Sequence, residues 1–168
     1  MKIPRDLPYR DYSPFHKGSV ITIGNFDGFH LAHQKILHQT IALASQYKLP
    51  SVLLTFSPHP SDYFAGQPSK TQLMRLREKW LALQSYSLDY LVCLRFNEQL
   101  ASMPPIDFVN QVLVDQLNVK AVFVGDDFRF GAGRQGDMAL LASLGEQYGF
   151  HVEEVPAMEV AGRRVSSS

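Results

Sequence analysis

Five short runs rich in apolar residues lie along the chain, and the stretches between them carry apolar residues at the spacing of a helix. The runs are VITIG (20–24), PSVLLTF (50–56), DYLVCLRF (89–96), VKAVFVG (119–125) and FHVEEVPAM (150–158). The first four are apolar at most positions, which is typical of strands buried on both faces of a parallel sheet. We therefore predict five strands.

The helical period and the end signals predict four helices. They cover about 30–47, 71–84, 104–117 and 137–148. Thr71 can cap the second helix, the two prolines at 104 and 105 fit the first turn of the third, and Gly149 ends the fourth.

The remaining segments are predicted to be irregular. Residues 1–17 are an irregular lead-in, 57–68 is a loop interrupted by three prolines, and 126–137 is a long glycine-containing loop. EVAGRRVS (159–166) is predicted to form a hairpin that turns at Gly162.

Strands that alternate with helices predict an α/β fold of the Rossmann type, a parallel sheet with helices on both faces. Such sheets bind ligands beyond the carboxyl ends of their strands, where the strand order reverses. The irregular segments GNFDG, SPHP and GDDFRFG each follow a predicted strand directly. We therefore expect all three at one edge of the sheet.

The composition narrows the classes of protein. The chain has 168 residues, 45% hydrophobic and 19% charged, with a formal net charge of zero. This suits one domain with a substantial core, and it lacks the basic excess typical of binding to nucleic acid or anionic membranes. No run approaches a signal-peptide core or the ~20 apolar residues of a membrane span. The single cysteine, Cys93, lies in an apolar run, which predicts a buried thiol and a reducing, cytoplasmic setting.

The stretch GNFDGFHLAH (24–33) places two histidines three residues apart where the first predicted helix opens. Gly24 and Gly28 permit a tight turn, and the exposed N–H groups of a helix start bind anions. His30 and His33 are expected to share a helix face. Two imidazoles beside a positive helix end favour a polyphosphate, because phosphoryl transfer depends on alignment and charge stabilisation.

Three alternatives remain open for the histidine pair. It could bind a metal, with His59 as the one candidate for a third ligand. It could be a polar cap of the helix, or it could act as a general acid or base on a substrate without phosphate. A P-loop motif is absent from the sequence, and no GxGxxG motif directly follows a predicted strand, so the dinucleotide-type Rossmann motif is missing too.

Four motifs together resemble one family. GNFDGFHLAH is similar to the GxFDGxHxGH signature of nucleotidylyltransferases with an HxGH motif. With TFSPHP, VGDDFRFG and RRVSSS in the same order, the chain resembles the adenylyltransferase module of bacterial FAD synthetases, the two-domain riboflavin kinase/FMN adenylyltransferases. The resemblance covers residues 20–168, so we expect residues 18–168 to form one FMN adenylyltransferase domain with the Rossmann-like nucleotidylyltransferase fold.

The resemblance implies transfer of AMP from MgATP to the phosphate of FMN, giving FAD and pyrophosphate. His30 and His33 would hold the ATP phosphates and stabilise the transition state. Mg²⁺ would arrive with ATP, and no residue is assigned as a metal ligand. The family pattern places the following residues at ATP: Gly24, Asn25, Asp27, His30, His33, Asp127, Arg164, Ser167 and Ser168. For Asp27, capping the helix is an equally good alternative.

A flavin requires a flat apolar slot, which aromatic and proline side chains of the edge loops can supply. The predicted flavin-binding residues are Phe56, Pro58, Pro60, Phe64, Phe108 and Phe130. For Phe56 and Phe108, packing in the core is the alternative interpretation.

The sequence departs from the family pattern in two places. Ala32 replaces the glycine between the two histidines. The sequence also ends at Ser168, before a further arginine and the riboflavin kinase domain that family members carry, so we expect that domain in the parent protein. Two other functions are kept as alternatives: nucleotidyl transfer to another phosphorylated acceptor, and flavin or nucleotide binding without catalysis.

Overall fold

The computed structural model describes residues 14–26, 31–57, 60–66, 77–156, 158–160 and 163–165, with backbone alone for the last two segments and for 61–62. Within the described residues, no helix combines the length and apolar character needed to cross a bilayer.

Five parallel strands form the central sheet, in the order β3-β2-β1-β4-β5. They are β1 Ser19–Ile23, β2 Ser51–Ser57, β3 Tyr90–Arg95, β4 Val119–Gly125 and β5 His151–Val155. The first four are buried over most of their length, as their continuous apolar runs predict, whereas the edge strand β5 exposes its glutamates. This arrangement confirms the predicted α/β class.

Helices connect the strands, and a separate hairpin follows β5. The helices are α1 Leu31–Tyr47, α2 Pro60–Ala65, α3 (77–83), α4 Glu98–Ala101, α5 Pro105–Phe108 and α6 Met138–Tyr148. The hairpin pairs β6 Met158–Val160 with β7 Arg163–Val165, antiparallel as predicted. The predicted ends of α6 are confirmed: Asp137 accepts a hydrogen bond of 2.9 Å from the Leu140 amide, and Gly149 adopts φ 84°.

The two faces of the sheet carry separate hydrophobic cores. On one face, Ile36 and Leu37 of α1 and Leu83 of α3 pack against Val20 and Leu53. On the other face lie residues that follow β3 and β4 in the chain: Phe108, Val109, Val112, Leu113, Leu141 and Leu144. The order reverses between β1 and β4, so the crevice of this doubly wound sheet lies at the carboxyl ends of those strands.

The end of the predicted lead-in contributes to the core. Phe15 is fully buried, and its ring packs edge-on against Tyr90 at 5.1 Å. Asn118 Nδ2 donates to the Phe15 carbonyl at 3.2 Å, which fixes this segment before β1. The domain limits 18–168 stay a prediction, although Phe15 shows that the packed region begins before residue 18.

Two predicted segments differ from the structure. Six residues of the predicted loop 57–68 are helical, because Pro60 occupies a helix start, where its fixed φ and missing N–H cost nothing. The predicted helix 104–117 is α-helical only through Phe108 and continues as a π-helical segment, Val109–Gln116. Apolar spacing does not separate these two forms, since both place residues four apart on nearly the same side.

Candidate active site

The carboxyl ends of β1, β2 and β4 meet at one edge of the sheet, as predicted. Ile23 pairs with Leu54 across β1 and β2, and the Gly24 amide donates to the Leu54 carbonyl at 3.0 Å. On the other side, Thr22 pairs with Phe123, which places Gly125 at the same edge. The GNFDGFHLAH segment therefore leaves the sheet between the chains that follow β2 and β4.

Phe26 folds back over Gly24 and fixes the ring of His33. A Cβ at Gly24 would lie 2.9 Å from the Phe26 ring, so only glycine permits this packing. The rings of Phe26 and His33 are nearly parallel, with centroids 4.6 Å apart, and both side chains are buried. His33 is thus oriented by packing from the third residue of α1. Sequence reasoning missed Phe26, although a lone apolar residue in a polar glycine turn is a usable signal.

Asn25 presents a buried acceptor at the start of the crevice. Its Oδ1 is buried and has no hydrogen-bond partner among the described residues. A buried polar atom left in this condition is unfavourable unless a ligand or water satisfies it. Asn25 is therefore placed where a polar ligand group would be stabilised.

A row of aromatic rings runs along the opposite face of the same edge. Phe128 stacks on Phe130 at 5.4 Å, and Phe130 packs against Phe108 at 6.0 Å. Phe108 in turn lies 6.4 Å from Phe56. Three of the predicted flavin residues, Phe56, Phe108 and Phe130, are therefore neighbours in space.

Phe96 extends this row to the predicted flavin residue Phe64. Its ring centroid lies 6.1 Å from Phe56, 5.3 Å from Tyr63 and 6.0 Å from Phe64, all nearly edge-on. Phe64 is 72% exposed, whereas Phe108 and Phe130 are buried. Sequence reasoning missed Phe96, Tyr63 and Phe128. The apolar pattern of the third strand is enough to explain Phe96, and nothing in the sequence indicates that α2 packs near the end of β3.

The loop after β4 is held against α5 by close backbone packing. Ala132 N donates to the Met103 carbonyl at 2.8 Å, and a Cβ at Gly131 would lie 2.6–2.8 Å from Pro105. Phe130 and Gly136 exchange backbone hydrogen bonds of 3.1 and 2.8 Å. These contacts fix Phe130, while Asp127 is exposed at the tip of the loop.

Several predicted site residues lie outside the described residues. They are Asp27, His30, Pro58, Ser167 and Ser168, together with His59 of the alternative metal site. For Arg164 the structure gives only its backbone, which pairs with Glu159 in the hairpin. Pro60 is described, and it begins α2.

The structure also describes Ala32, Cys93 and the side chains that could form a metal site. Ala32, at the position of the family glycine, is only 4% exposed in α1. In the part of the chain that the structure describes, no three His, Cys, Asp or Glu side chains are grouped as metal ligands would be. Cys93 is buried, as expected.

The chain is similar in sequence to curated bifunctional enzymes over its whole length. The family model described as FAD synthetase matches residues 12–168. A bifunctional riboflavin kinase/FMN adenylyltransferase from Escherichia coli K12 is 39% identical, with all of this chain and 53% of the relative covered. The protein of that name from Pseudomonas fluorescens is 40% identical with the same coverage. The chain thus spans about half the length of the curated relatives that it matches.

A solved structure supports the fold independently. The crystal structure named as a macrolide-efflux protein from Streptococcus pneumoniae superimposes with a TM-score of 0.63 at 24% identity, over 89% of this chain and 50% of that one. At this identity the likeness shows the fold alone. The family match over residues 12–168 shows that this chain belongs to the FAD synthetase family.

Proposed function

We propose that this chain is an FMN adenylyltransferase that transfers AMP from MgATP to FMN. A phosphate oxygen of FMN attacks the α-phosphorus of ATP in line, the bond from that phosphorus to the β-phosphate oxygen breaks, and FAD and pyrophosphate are formed. The family and the names of the relatives support this reaction. A reaction of this kind needs two ligands held side by side with their phosphates aligned.

The observation that carries the proposal is the division of one sheet edge into two unlike halves. One face carries Asn25 and the packed pair Phe26 and His33. The other face carries the aromatic row from Phe128 to Phe64. The first half suits a nucleotide triphosphate and the second a flat heterocycle, whereas a small aliphatic acceptor has no use for such a row.

Each half has an assigned task in the proposal. His30 and His33 stabilise the negative charge that develops on the phosphates, and Asn25 Oδ1 accepts a hydrogen bond from a ribose hydroxyl or the adenine amino group. Gly24, Asp27, Asp127, Arg164, Ser167 and Ser168 complete the ATP site. Phe56, Pro58, Pro60, Phe64, Phe108 and Phe130 line the flavin site.

We also propose that the parent protein carries a riboflavin kinase domain after this one and works in the cytoplasm. The relatives support the first part. Their names describe bifunctional enzymes, and this chain covers only 53% of their length. A kinase that phosphorylates riboflavin would supply FMN to the neighbouring site.

The reaction itself can be tested directly. We expect the purified chain to convert FMN and MgATP to FAD and pyrophosphate, detected by chromatography of the flavins and by a coupled pyrophosphate assay. Omitting ATP or FMN provides the blank. Binding of either ligand without FAD formation would contradict the proposal.

Replacing Phe64 with alanine tests the flavin half without disturbing the core. The ring is 72% exposed and contacts only the edges of Tyr63 and Phe96 among the described rings, so little stability should be lost. We expect the KM for FMN to rise about five- to tenfold. Losing one aromatic ring that stacks on a planar heterocycle costs about 1–3 kcal/mol, and this rise corresponds to the lower part of that range. The KM for ATP and the unfolding temperature should not change.

Leu81→Ala is a matched control, because Leu81 is also a large exposed apolar residue, at 54%, but lies on α3. Its KM values should equal those of the unmodified chain. An unchanged KM for FMN in the Phe64 variant would remove that ring from the flavin site.

A further inference from the structure

Lys79 is a buried lysine that the proposed mechanism has not used. It lies on α3 and is 9% exposed, and its Nζ donates a hydrogen bond of 3.0 Å to Oγ1 of Thr55. Thr55 is fully buried near the end of β2. Burying an ammonium is costly, so a buried lysine is held by polar or charged neighbours, and Thr55 is one of them here.

The strand register places this ammonium beside the start of the histidine motif. Because Ile23 pairs with Leu54 and the Gly24 amide bonds to the Leu54 carbonyl, Thr55 lies next to Gly24. Side chains alternate along a strand, and Leu53 packs in the core under α1. Thr55 therefore faces the side of the sheet on which α1 and His33 lie, and Phe56 faces the aromatic side.

We propose that Lys79 is a further ATP-binding residue, whose ammonium supplies a fixed positive charge to the triphosphate half of the site. This inference rests on the proposed function, because it assigns Lys79 to the nucleotide half of that same site. The bond to Thr55 and the packing of α3 hold the charge in place before ATP arrives, so little reorganisation is needed on binding. The sequence alone does not indicate a binding role for Lys79, because REKW (77–80) is an ordinary pattern for the surface of a helix.

A titration series separates a charge effect from a purely structural one. The probes are α,β-methylene-ATP, ADP and AMP, with Kd measured by calorimetry for the unmodified chain and for Lys79→Met. We expect the Kd for α,β-methylene-ATP to rise about tenfold, the Kd for ADP to rise less, and the Kd for AMP to change little, as for the loss of one charged hydrogen bond to phosphate. Lys79→Arg keeps the charge and should recover most of the affinity.

Two controls address folding. Lys35→Met makes the same change at an exposed lysine of α1 and should bind all three nucleotides normally. Thr55→Val removes the acceptor but keeps the shape of the side chain, and should weaken α,β-methylene-ATP more than AMP. This second variant decides the question if Lys79→Met does not fold.

Equal weakening of all three nucleotides, or unchanged affinity for α,β-methylene-ATP, would overturn the assignment of Lys79. A chain that binds nucleotide but forms no FAD from FMN and MgATP would overturn the proposed function, while the titrations would still decide Lys79. Failure to bind any nucleotide would overturn both.

Discussion

Replacing His30 with alanine is expected to lower the turnover number for FAD formation by about 10²-fold or more, because it removes charge stabilisation that acts mainly in the transition state. His30 directly precedes Leu31, the first described residue of α1. Removing an interaction that is made only in the transition state lowers kcat and kcat/KM by the same factor. Initial rates at saturating and limiting MgATP therefore measure both the size and the kind of the effect.

His38→Ala is the matched control for this prediction. His38 is an exposed histidine of α1, and its ring lies 5.4 Å from Tyr86. It should form FAD at the normal rate. His33 is a poorer choice for the main test, since its ring is buried against Phe26 and its removal would also cost packing. A His30 variant with normal turnover would leave the imidazole without a part in the transition state.

The sheet was predictable from the sequence because each strand is specified locally. VITIG and VKAVFVG are apolar at nearly every position, and a strand buried on both faces requires this. The one edge that gathers the three loops then follows from parallel pairing alone. The motif at the end of β1 could be placed for the same reason, because it follows a predicted strand directly and so begins at the carboxyl edge of the sheet.

The contacts that complete the site were not predictable because they join residues far apart in the chain. Phe96 lies at the end of β3, yet its neighbours Tyr63 and Phe64 belong to α2. Lys79 and Thr55 are 24 positions apart and belong to different elements. Neither pairing leaves a periodic signal, because each depends on how α2 and α3 are placed against the sheet.

The structure also separates the predicted flavin residues by what else they do. Phe64 is exposed and does not belong to the hydrophobic core. Phe108 and Phe130 belong to the core and are also candidates for lining the flavin site. The two interpretations of Phe108 considered from the sequence are therefore compatible with each other. An aromatic ring can pack in the core on one side and contact a ligand with its exposed edge. Core packing then holds the ring in a fixed position for binding.

Phe130→Ala is expected to lower the free energy of unfolding by about 3–5 kcal/mol, as for other buried phenylalanines, and to raise the KM for FMN. The ring is 7% exposed, stacks on Phe128 at 5.4 Å and packs on Phe108 at 6.0 Å. Since a domain of this size is stable by only about 5–15 kcal/mol, denaturant unfolding will show the loss clearly.

Phe130→Leu separates the stability effect of this substitution from its effect on FMN. Leucine refills most of the space, so the variant should regain much of the stability, but it lacks the flat ring and should keep the raised KM for FMN. The KM for ATP should be unchanged in both variants when measured well below their unfolding temperatures, because Phe130 lies on the face of the sheet opposite His33. If the KM values for ATP and FMN rose together in the folded leucine variant, the sheet edge would not be divided into two binding halves.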